Sequence, residues 1–203
     1  MSYYELWTIL SNWRKDFSSE EFARTFASPD HRKVLHDMTK KGLLDRKGYG
    51  RYSVKSVDDY VRSKNDIGAG YELIGKSGLP YALTGVDGVF VWTKGGYNAG
   101  RFFGSYPIYM KVLKPDVAKW IKFLADNGRK SMLAGTRPRE TLYGVFFVLY
   151  PAGAINAETV NGLSVEPLKE TVEFCKENVY TFQPALEMLD REYDLGLNVR
   201  YSL

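Results

Sequence analysis

The first 55 residues place three short amphipathic segments before a glycine-punctuated pair of strands, and this order constrains the fold more than any other feature of the sequence. Apolar side chains spaced three and four residues apart between Tyr4 and Trp13 predict a first helix. Ser18 and Glu21 have the spacing of a capping box at the start of a second helix. A turn over residues 27 to 30 then supplies a cap and a proline just inside a third helix of about residues 30 to 41.

A basic hairpin follows the third helix. Gly42 ends that helix, and residues 45 to 54 have the pattern of a short hairpin in which Gly48 and Gly50 punctuate a basic tip. Three helices and a hairpin in this order predict a winged helix-turn-helix. The polar and glycine-containing stretch near residue 66 indicates a break in the chain. We therefore expect one domain over residues 1–65 and a second over residues 66–203.

The positive charge of the chain is concentrated in the first of these segments. Residues 1 to 64 carry 13 Lys and Arg against 9 Asp and Glu, whereas residues 65 to 203 carry 15 of each. Residues 31 to 55 alone have eight basic side chains, opposed only by Asp37 and Asp45. A cluster of this kind attracts polyanions, although a basic cluster by itself is also compatible with an ordinary solvated face.

The third helix separates its apolar and basic side chains. Val34, Leu35 and Met38 share one side, which leaves Lys33, His36 and Lys40 on the other. In helix-turn-helix proteins this second helix of the motif enters the major groove. We therefore predict binding to double-stranded DNA, with winged helices that contact proteins as the alternative. The residues predicted to contact DNA are Ser28, Arg32, Lys33, His36, Lys40, Lys41, Arg46, Lys47, Tyr49 and Arg51.

The second segment mixes the patterns of strands and helices, so that the whole chain is predicted to be α+β with a mixed α/β second domain. Enrichment in Val, Phe and Tyr predicts strands, and amphipathic periodicity predicts helices. The predicted strands cover residues 81–83, 88–92, 108–113 and 142–149, and the predicted helices cover residues 115–127, 167–178 and 182–194.

Motifs for catalysis, nucleotide binding and metal binding are missing from the sequence. Neither of the glycine-rich phosphate-binding patterns occurs. His31, His36 and Cys175 are too few for a zinc site, and Cys175 is expected to be half-buried without a role. We therefore predict no catalytic residue, no cofactor and no metal. Loop residues that are available to a partner or a ligand, although ordinary solvation explains them better, are Lys94, Tyr97, Asn98, Arg101, Arg137 and Arg139.

The longest apolar run, residues 142 to 150, is about half of the roughly 20 residues that a membrane-spanning helix needs. The N-terminal residues also lack the basic and apolar regions of a secretory signal. Together these features predict a cytoplasmic protein without a membrane partner.

The second segment contains the stretch Leu79-Pro80-Tyr81-Ala82-Leu83-Thr84-Gly85-Val86-Asp87-Gly88-Val89. A winged helix followed by this stretch resembles the AbiEi family of antitoxins and transcriptional regulators, whose second domain begins with a similar "ALTG" strand, turn and helix. The resemblance implies an N-terminal domain that binds promoter DNA and represses its own operon. It also implies a C-terminal domain that opposes a cognate nucleotidyltransferase-like toxin.

The same stretch is distantly similar to the nucleotidyltransferase fold itself, in which a glycine-containing turn precedes a strand with two carboxylates. These carboxylates hold the magnesium ions that bridge nucleotide phosphates. Here the strand after Gly104-Ser105 has no Asp or Glu, and neither Asp87 nor Asp116 completes a pair on it. The resemblance thus implies a degenerate fold without activity. The alternative is an enzyme that acts on nucleotides or nucleic acid, and a homodimer is compatible with the sequence.

Overall fold

The computed structural model describes residues 1–99 and 104–197 and has a mixed α+β architecture. The chain divides into two compact units, Met1–Asn65 and Asp66–Leu203. Each unit has its own β-sheet and its own hydrophobic core. Across the described residues, no helix combines the length and the apolar composition that crossing a membrane requires.

The first unit consists of four helices and a three-stranded antiparallel sheet in the order β1-β3-β2. Ser18 and Glu21 form the predicted capping box of the second helix. Asp30 caps the third helix through the amide of Lys33, so the prediction that Pro29 lies inside this helix was wrong. The elements are α1 (Tyr3–Trp13), β1 (Asp16–Ser18), α2 (Ser19–Thr25), α3 (His31–Lys40), β2 (Leu44–Gly48), β3 (Arg51–Val54) and α4 (Val57–Lys64).

The second unit is built on a six-stranded mixed sheet in the order β6-β7-β5-β4-β9-β8. β5, β6 and β7 are parallel to one another, and β4 is antiparallel to β5 and parallel to β9. The elements are α5 (Ile67–Gly75), β4 (Tyr81–Leu83), α6 (Val86–Trp92), β5 (Ser105–Leu113), a 3-10 turn (Lys114–Asp116), α7 (Val117–Asp126), β6 (Lys130–Leu133), β7 (Gly144–Ala152), β8 (Glu158–Val160), β9 (Leu163–Val165), α8 (Leu168–Glu177) and α9 (Val179–Tyr193).

The segment from residue 86 to 92 is helix α6, so the strand predicted for residues 88–92 was wrong. Its apolar run is buried on several sides, and a short buried run has no periodicity that separates a helix from a strand. Gly85 starts the turn into the helix at φ +57° and ψ −125°, a conformation that an L side chain rarely adopts. The amide of Val89 then donates to the Gly85 carbonyl at 3.0 Å.

Helix α5 occupies the stretch that the sequence marked as a break. Asp66 caps the helix by accepting from the amide of Ala69 at 2.9 Å. Gly70 faces the sheet so closely that an added Cβ would lie 2.6 Å from Cδ1 of Ile108 and 3.1 Å from Cγ1 of Val145. The glycine that suggested a chain break is therefore the residue that lets this helix pack against the sheet.

The carboxylate of Glu166 connects several elements beyond the C-terminal ends of β4 and β9. Because these two strands are parallel, Thr84 and Glu166, which follow them directly, lie at the same end of the strands. Glu166 accepts hydrogen bonds from the Thr84 hydroxyl and, at 3.1 Å, from the amide of Gly85. Lys111 of β5 lies 3.0 Å from Glu166 and 2.7 Å from Glu170 of α8.

Lys111 holds its positive charge in this network. Partial burial by itself lowers its pKa, but the hydrogen bonds to Glu170 and Glu166 outweigh this effect and the pKa lies above its ordinary value. The Glu166 side chain is only 4% exposed, compared with 31% for Lys111. The lysine is therefore the cationic partner of a carboxylate that water cannot solvate.

We expect Lys111→Met to lower the free energy of unfolding by about 2 kcal/mol, since it leaves the buried Glu166 carboxylate without its cation and Lys111 is itself partly exposed. Urea denaturation would measure this change. As a control, Lys122→Met removes an exposed pair with Asp126 and is expected to cost about 0.5 kcal/mol or less. Equal effects of the two substitutions would contradict the role given to Lys111.

Cys175 lies in the core of the second unit and is fully buried, so the prediction of a half-buried side chain was wrong. Burial, with a smaller contribution from the charge of Glu166, raises the pKa of its thiol to about 12. The polar neighbours Lys176 and Glu177 made burial of Cys175 look incomplete in the sequence. In α8 these two residues point to the solvent side, whereas Cys175 points into the core.

Since the thiolate is the reactive form of cysteine, we expect Cys175 to resist alkylation at pH 8 in the folded protein. Iodoacetamide labelling followed by mass measurement would show this as an unmodified chain. The same reagent should label the chain fully in guanidinium, where burial is lost. Rapid labelling of the folded protein would contradict the packing described here.

Candidate nucleic-acid interface

Helix α3 presents a basic side to solvent because its apolar side is anchored in the core. Leu35 and Met38 are fully buried, and Val34 is half-buried. The exposed side chains lie within about 100° of one another around the helix axis, opposite these anchors. We call them the α3 face, and they are Arg32, Lys33, His36 and Lys40.

Helix α3 is held against α1 by a polar contact. The hydroxyl of Tyr3 donates to Oδ2 of Asp37 at 2.8 Å. This hydrogen bond is the main cause of the raised pKa of Tyr3, because it favours the protonated phenol. The ammonium of Lys41 lies 5.8 Å from the centre of the Tyr3 ring, within the range of a cation–π contact. The half-buried Asp37 is therefore engaged with Tyr3 at the flank of the α3 face.

The hairpin of β2 and β3 carries a second set of exposed basic side chains. Its register shifts between Arg46 and Gly48, and Gly50 takes a positive φ of +65°, which closes the turn. Tyr49 at the tip is 96% exposed. Arg46, Lys47 and Arg51 are also exposed, and Nε of Arg46 donates to the Gly48 carbonyl at 3.3 Å.

Most of the cations on these surfaces lack an acidic partner. Within residues 1–99 and 104–197, no salt bridge engages Arg32, Lys33, Lys40, Lys41, Arg46, Lys47 or Arg51. Unpaired cations on one helix and the adjacent hairpin are suited to binding the phosphates of a nucleic acid.

Lys55 differs from the other cations of the basic cluster. Its ammonium lies 3.2 Å from Oδ1 of Asp45, and its side chain is only 17% exposed. Its backbone carbonyl also accepts from Nε1 of Trp7 at 2.9 Å. Lys55 and Asp45 therefore neutralise each other within the fold, and no pattern in the sequence distinguishes Lys55 from its unpaired neighbours.

Ser28 is the member of the predicted set that the structure leaves furthest from solvent. It is half-buried in the turn between α2 and α3, whereas the other nine predicted contact residues are exposed. Tyr3 also positions α3, through its hydrogen bond to Asp37, which lies 34 positions further along the chain. The pattern of α1 does not show which side chain of α3 this tyrosine meets.

A hollow of about 500 Å³ adjoins the hairpin and has a mixed lining, with Asp16 and Glu21 beside Lys47 and Arg51. Glu21 accepts from the backbone amide of Ser18, which is the main cause of its lowered pKa, and lies 2.6 Å from Arg14. These carboxylates make the hollow unfavourable for phosphate. The α3 face and the exposed hairpin tip are therefore the candidate interface.

The candidate loop residues of the second unit divide into engaged and exposed side chains. Lys94 forms an ion pair with Glu192, and the hydroxyl of Tyr97 donates to the carbonyl of Thr181. Asn98 also has an interaction partner, and Arg101 lies outside the described residues. Arg137 and Arg139 are both exposed on the loop between β6 and β7.

The two aspartates considered for metal binding are held by other groups. Asp87 is fully buried and accepts from the hydroxyl of Tyr71 and, at 2.7 Å, from the amide of Tyr109. Asp116 lies 2.8 Å from the ammonium of Lys119. In the part of the chain that the structure describes, no three His, Cys, Asp or Glu side chains come together in a way that could hold a metal ion.

Comparison with known protein families and with curated proteins gives no match for this chain. The resemblance to the AbiEi family therefore remains a prediction from the sequence.

Proposed function

We propose that the protein is a DNA-binding transcriptional regulator whose first unit is a winged helix. The observation that carries this proposal is the α3 face, where Arg32, Lys33 and Lys40 are exposed without acidic partners opposite the buried Leu35 and Met38. In this arrangement α3 enters the major groove, with His36 and its neighbours near base edges and the flanking cations near phosphates.

The order of the elements supports the proposal. A short strand, β1, lies between α1 and α2, and it pairs with β3 so that the hairpin continues a small sheet. In a winged helix this hairpin is the wing. Lys47 and Arg51 then contact the DNA backbone beside the groove that α3 occupies, and the exposed ring of Tyr49 lies at the tip of the wing.

The resemblance to AbiEi proteins extends the proposal to the second unit. We infer that the protein represses its own operon and opposes a nucleotidyltransferase-like toxin, with residues 66–203 as a mixed α/β domain of degenerate nucleotidyltransferase type. The engaged state of Asp87 and Asp116 favours a non-catalytic role for this unit over turnover of nucleotides. Cytoplasmic localisation follows from this role.

We expect the protein to bind the DNA upstream of its own gene more tightly than a scrambled duplex of the same length and composition. The preference reflects base contacts from the α3 face, whereas both duplexes share the phosphate contacts and therefore a steep loss of affinity with salt. Fluorescence anisotropy over a range of salt concentrations measures both quantities. Equal affinity for the two duplexes would contradict a sequence-specific regulator.

Plots of log affinity against log salt have a negative slope. We expect Lys33→Ala and Lys40→Ala each to reduce the magnitude of this slope by about 1, because each removes one phosphate contact. The triple variant Lys33→Ala/Lys40→Ala/Arg51→Ala should lose most of the binding. Two controls use the same measurement. Lys55→Ala removes a cation that is already paired with Asp45, and Lys76→Ala removes an exposed lysine of the second unit, so neither should change the slope.

If the triple variant binds DNA with the same affinity as the unsubstituted protein, the α3 face and the wing are excluded as the DNA interface. If Lys55→Ala reduces the magnitude of the salt slope as much as Lys33→Ala does, the effect follows the net charge of the unit and not the proposed surface. Thermal unfolding of each variant separates a loss of contact from a loss of fold.

A further inference from the structure

The outer edge of the six-stranded sheet has backbone groups that no described strand uses. Within residues 1–99 and 104–197, β6 is the terminal strand and pairs only with β7. The amide of Ala134, directly after β6, donates to the Leu149 carbonyl of β7 at 2.9 Å. Since backbone groups alternate sides along a strand, the amides of Ser131 and Leu133 point away from β7. Beyond the ladder of the sheet, neither amide has a hydrogen bond to any described residue.

A groove of about 360 Å³ runs along this edge of β6. Its lining includes the three consecutive residues Ser131, Met132 and Leu133. Consecutive side chains of a strand point to opposite faces of the sheet, so a lining that includes all three residues is typical of a cavity along the edge of the strand. The open amides of β6 therefore face a space that another chain segment can enter.

The loop between β6 and β7 forms the opposite wall of the groove. The amide of Thr136 donates to the Leu133 carbonyl at 3.2 Å, which fixes the start of the loop at the end of β6. The ammonium of Lys130 donates to the Thr141 carbonyl at 2.7 Å, which fixes the far part of the loop at the start of β6. The loop thus runs back along the length of the strand, which is about 13 Å for four residues.

The groove is positively charged. Arg137 and Arg139 line it and are exposed, and no ion pair with a described residue engages either guanidinium. The carboxylate of Glu140, which is also part of the lining, lies 2.7 Å from the ammonium of Lys130 and is neutralised by it. The charge that remains for a ligand is therefore that of the two arginines.

We propose that this groove binds an extended, acidic segment of a partner protein, which adds to β6 as a further strand of the sheet. Main-chain hydrogen bonds to the open edge supply affinity in this mode of recognition, and side chains supply specificity. Arg137 and Arg139 are two positions apart, so they match Asp or Glu at alternate positions of the segment, which share one side of an extended chain.

A second copy of the same edge does not fit this groove as well. Two β6 edges that pair with each other bring two identical arginine-bearing loops together, and like charges in one interface are unfavourable. The proposal concerns residues 121–142 of the second unit and does not depend on DNA binding by the first.

The test uses the purified full-length protein and a displayed library of random nonapeptides. We expect selection to enrich peptides with Asp or Glu at alternate positions. An enriched peptide, synthesised with a fluorescein label, should bind in fluorescence anisotropy and should slow hydrogen exchange at the amides of Ser131 and Leu133. Failure to enrich any peptide, or enrichment of peptides without acidic residues, would overturn the proposal.

Two variants separate the backbone contribution from the charge contribution. Ser131→Pro removes one outward amide and leaves the bonds to β7 intact, so it should weaken binding of the labelled peptide about two- to tenfold. Ser131→Ala keeps the amide and should bind as the unsubstituted protein does. Arg137→Glu/Arg139→Glu should weaken binding at least about tenfold, whereas Lys76→Glu/Lys176→Glu makes the same change in net charge elsewhere and should not.

Strand addition would be overturned by two results together. The peptide would still bind the Ser131→Pro variant, and it would not slow hydrogen exchange at the β6 amides of the unsubstituted protein. These results would show that charge alone holds the peptide. The exchange measurement on the unsubstituted protein gives this answer even where Ser131→Pro reduces the stability of the fold. A concentration-dependent dimer in sedimentation velocity that Ser131→Pro abolishes would assign the edge to a second copy and would also overturn the proposal.

Discussion

The buried carboxylate of Glu166 is the interaction on which the second unit depends. It accepts from Thr84 and Gly85 at the end of β4, follows β9 directly, and pairs with Lys111 of β5, so one charge connects three neighbouring strands. Its own backbone carbonyl accepts from Nε1 of Trp92 at 2.9 Å, which adds helix α6. A buried charge is tolerated only when it is paired and hydrogen-bonded, and this requirement constrains where the strands end relative to one another.

In the first unit the corresponding constraint is apolar. Leu35 and Met38 have to be buried, and this determines which side of α3 reaches solvent. The hydrogen bond from Tyr3 then engages Asp37, the acidic side chain of this helix, which is half-buried. The α3 face is consequently basic as a result of packing, and no salt bridge among the described residues engages its cations.

The sequence predicted the parts of the fold that have a strong local pattern. The helices of the first unit have a clear period and capping residues, and the glycines of the hairpin mark its turn, so these elements were confirmed. Strands β6, β8 and β9 have only three or four residues, too few for a periodic signal. Helix α5 was missed because its Gly70 suggests a loop until its close packing against the sheet is known. Helix α6 was predicted as a strand because the apolar run after Gly85 is buried and has no helical period. Among the predicted site residues, the sequence could place charges on a surface but could not show that Asp45 binds Lys55 and leaves Arg51 unpaired.

Unpaired like charges on a small domain carry a cost that bears on function. Lys33 and Lys40 share one side of α3 with Arg32, and mutual repulsion among such groups weakens a folded state that has no polyanion bound. The chain has carboxylates in this region, but Asp37, Asp45 and Glu21 are engaged with Tyr3, Lys55 and Arg14 respectively. The fold thus directs its acidic groups to internal contacts and leaves the repulsion at the surface unrelieved. Phosphates of a bound nucleic acid would relieve that repulsion, so an arrangement that is unfavourable for stability alone is consistent with the proposed DNA-binding function.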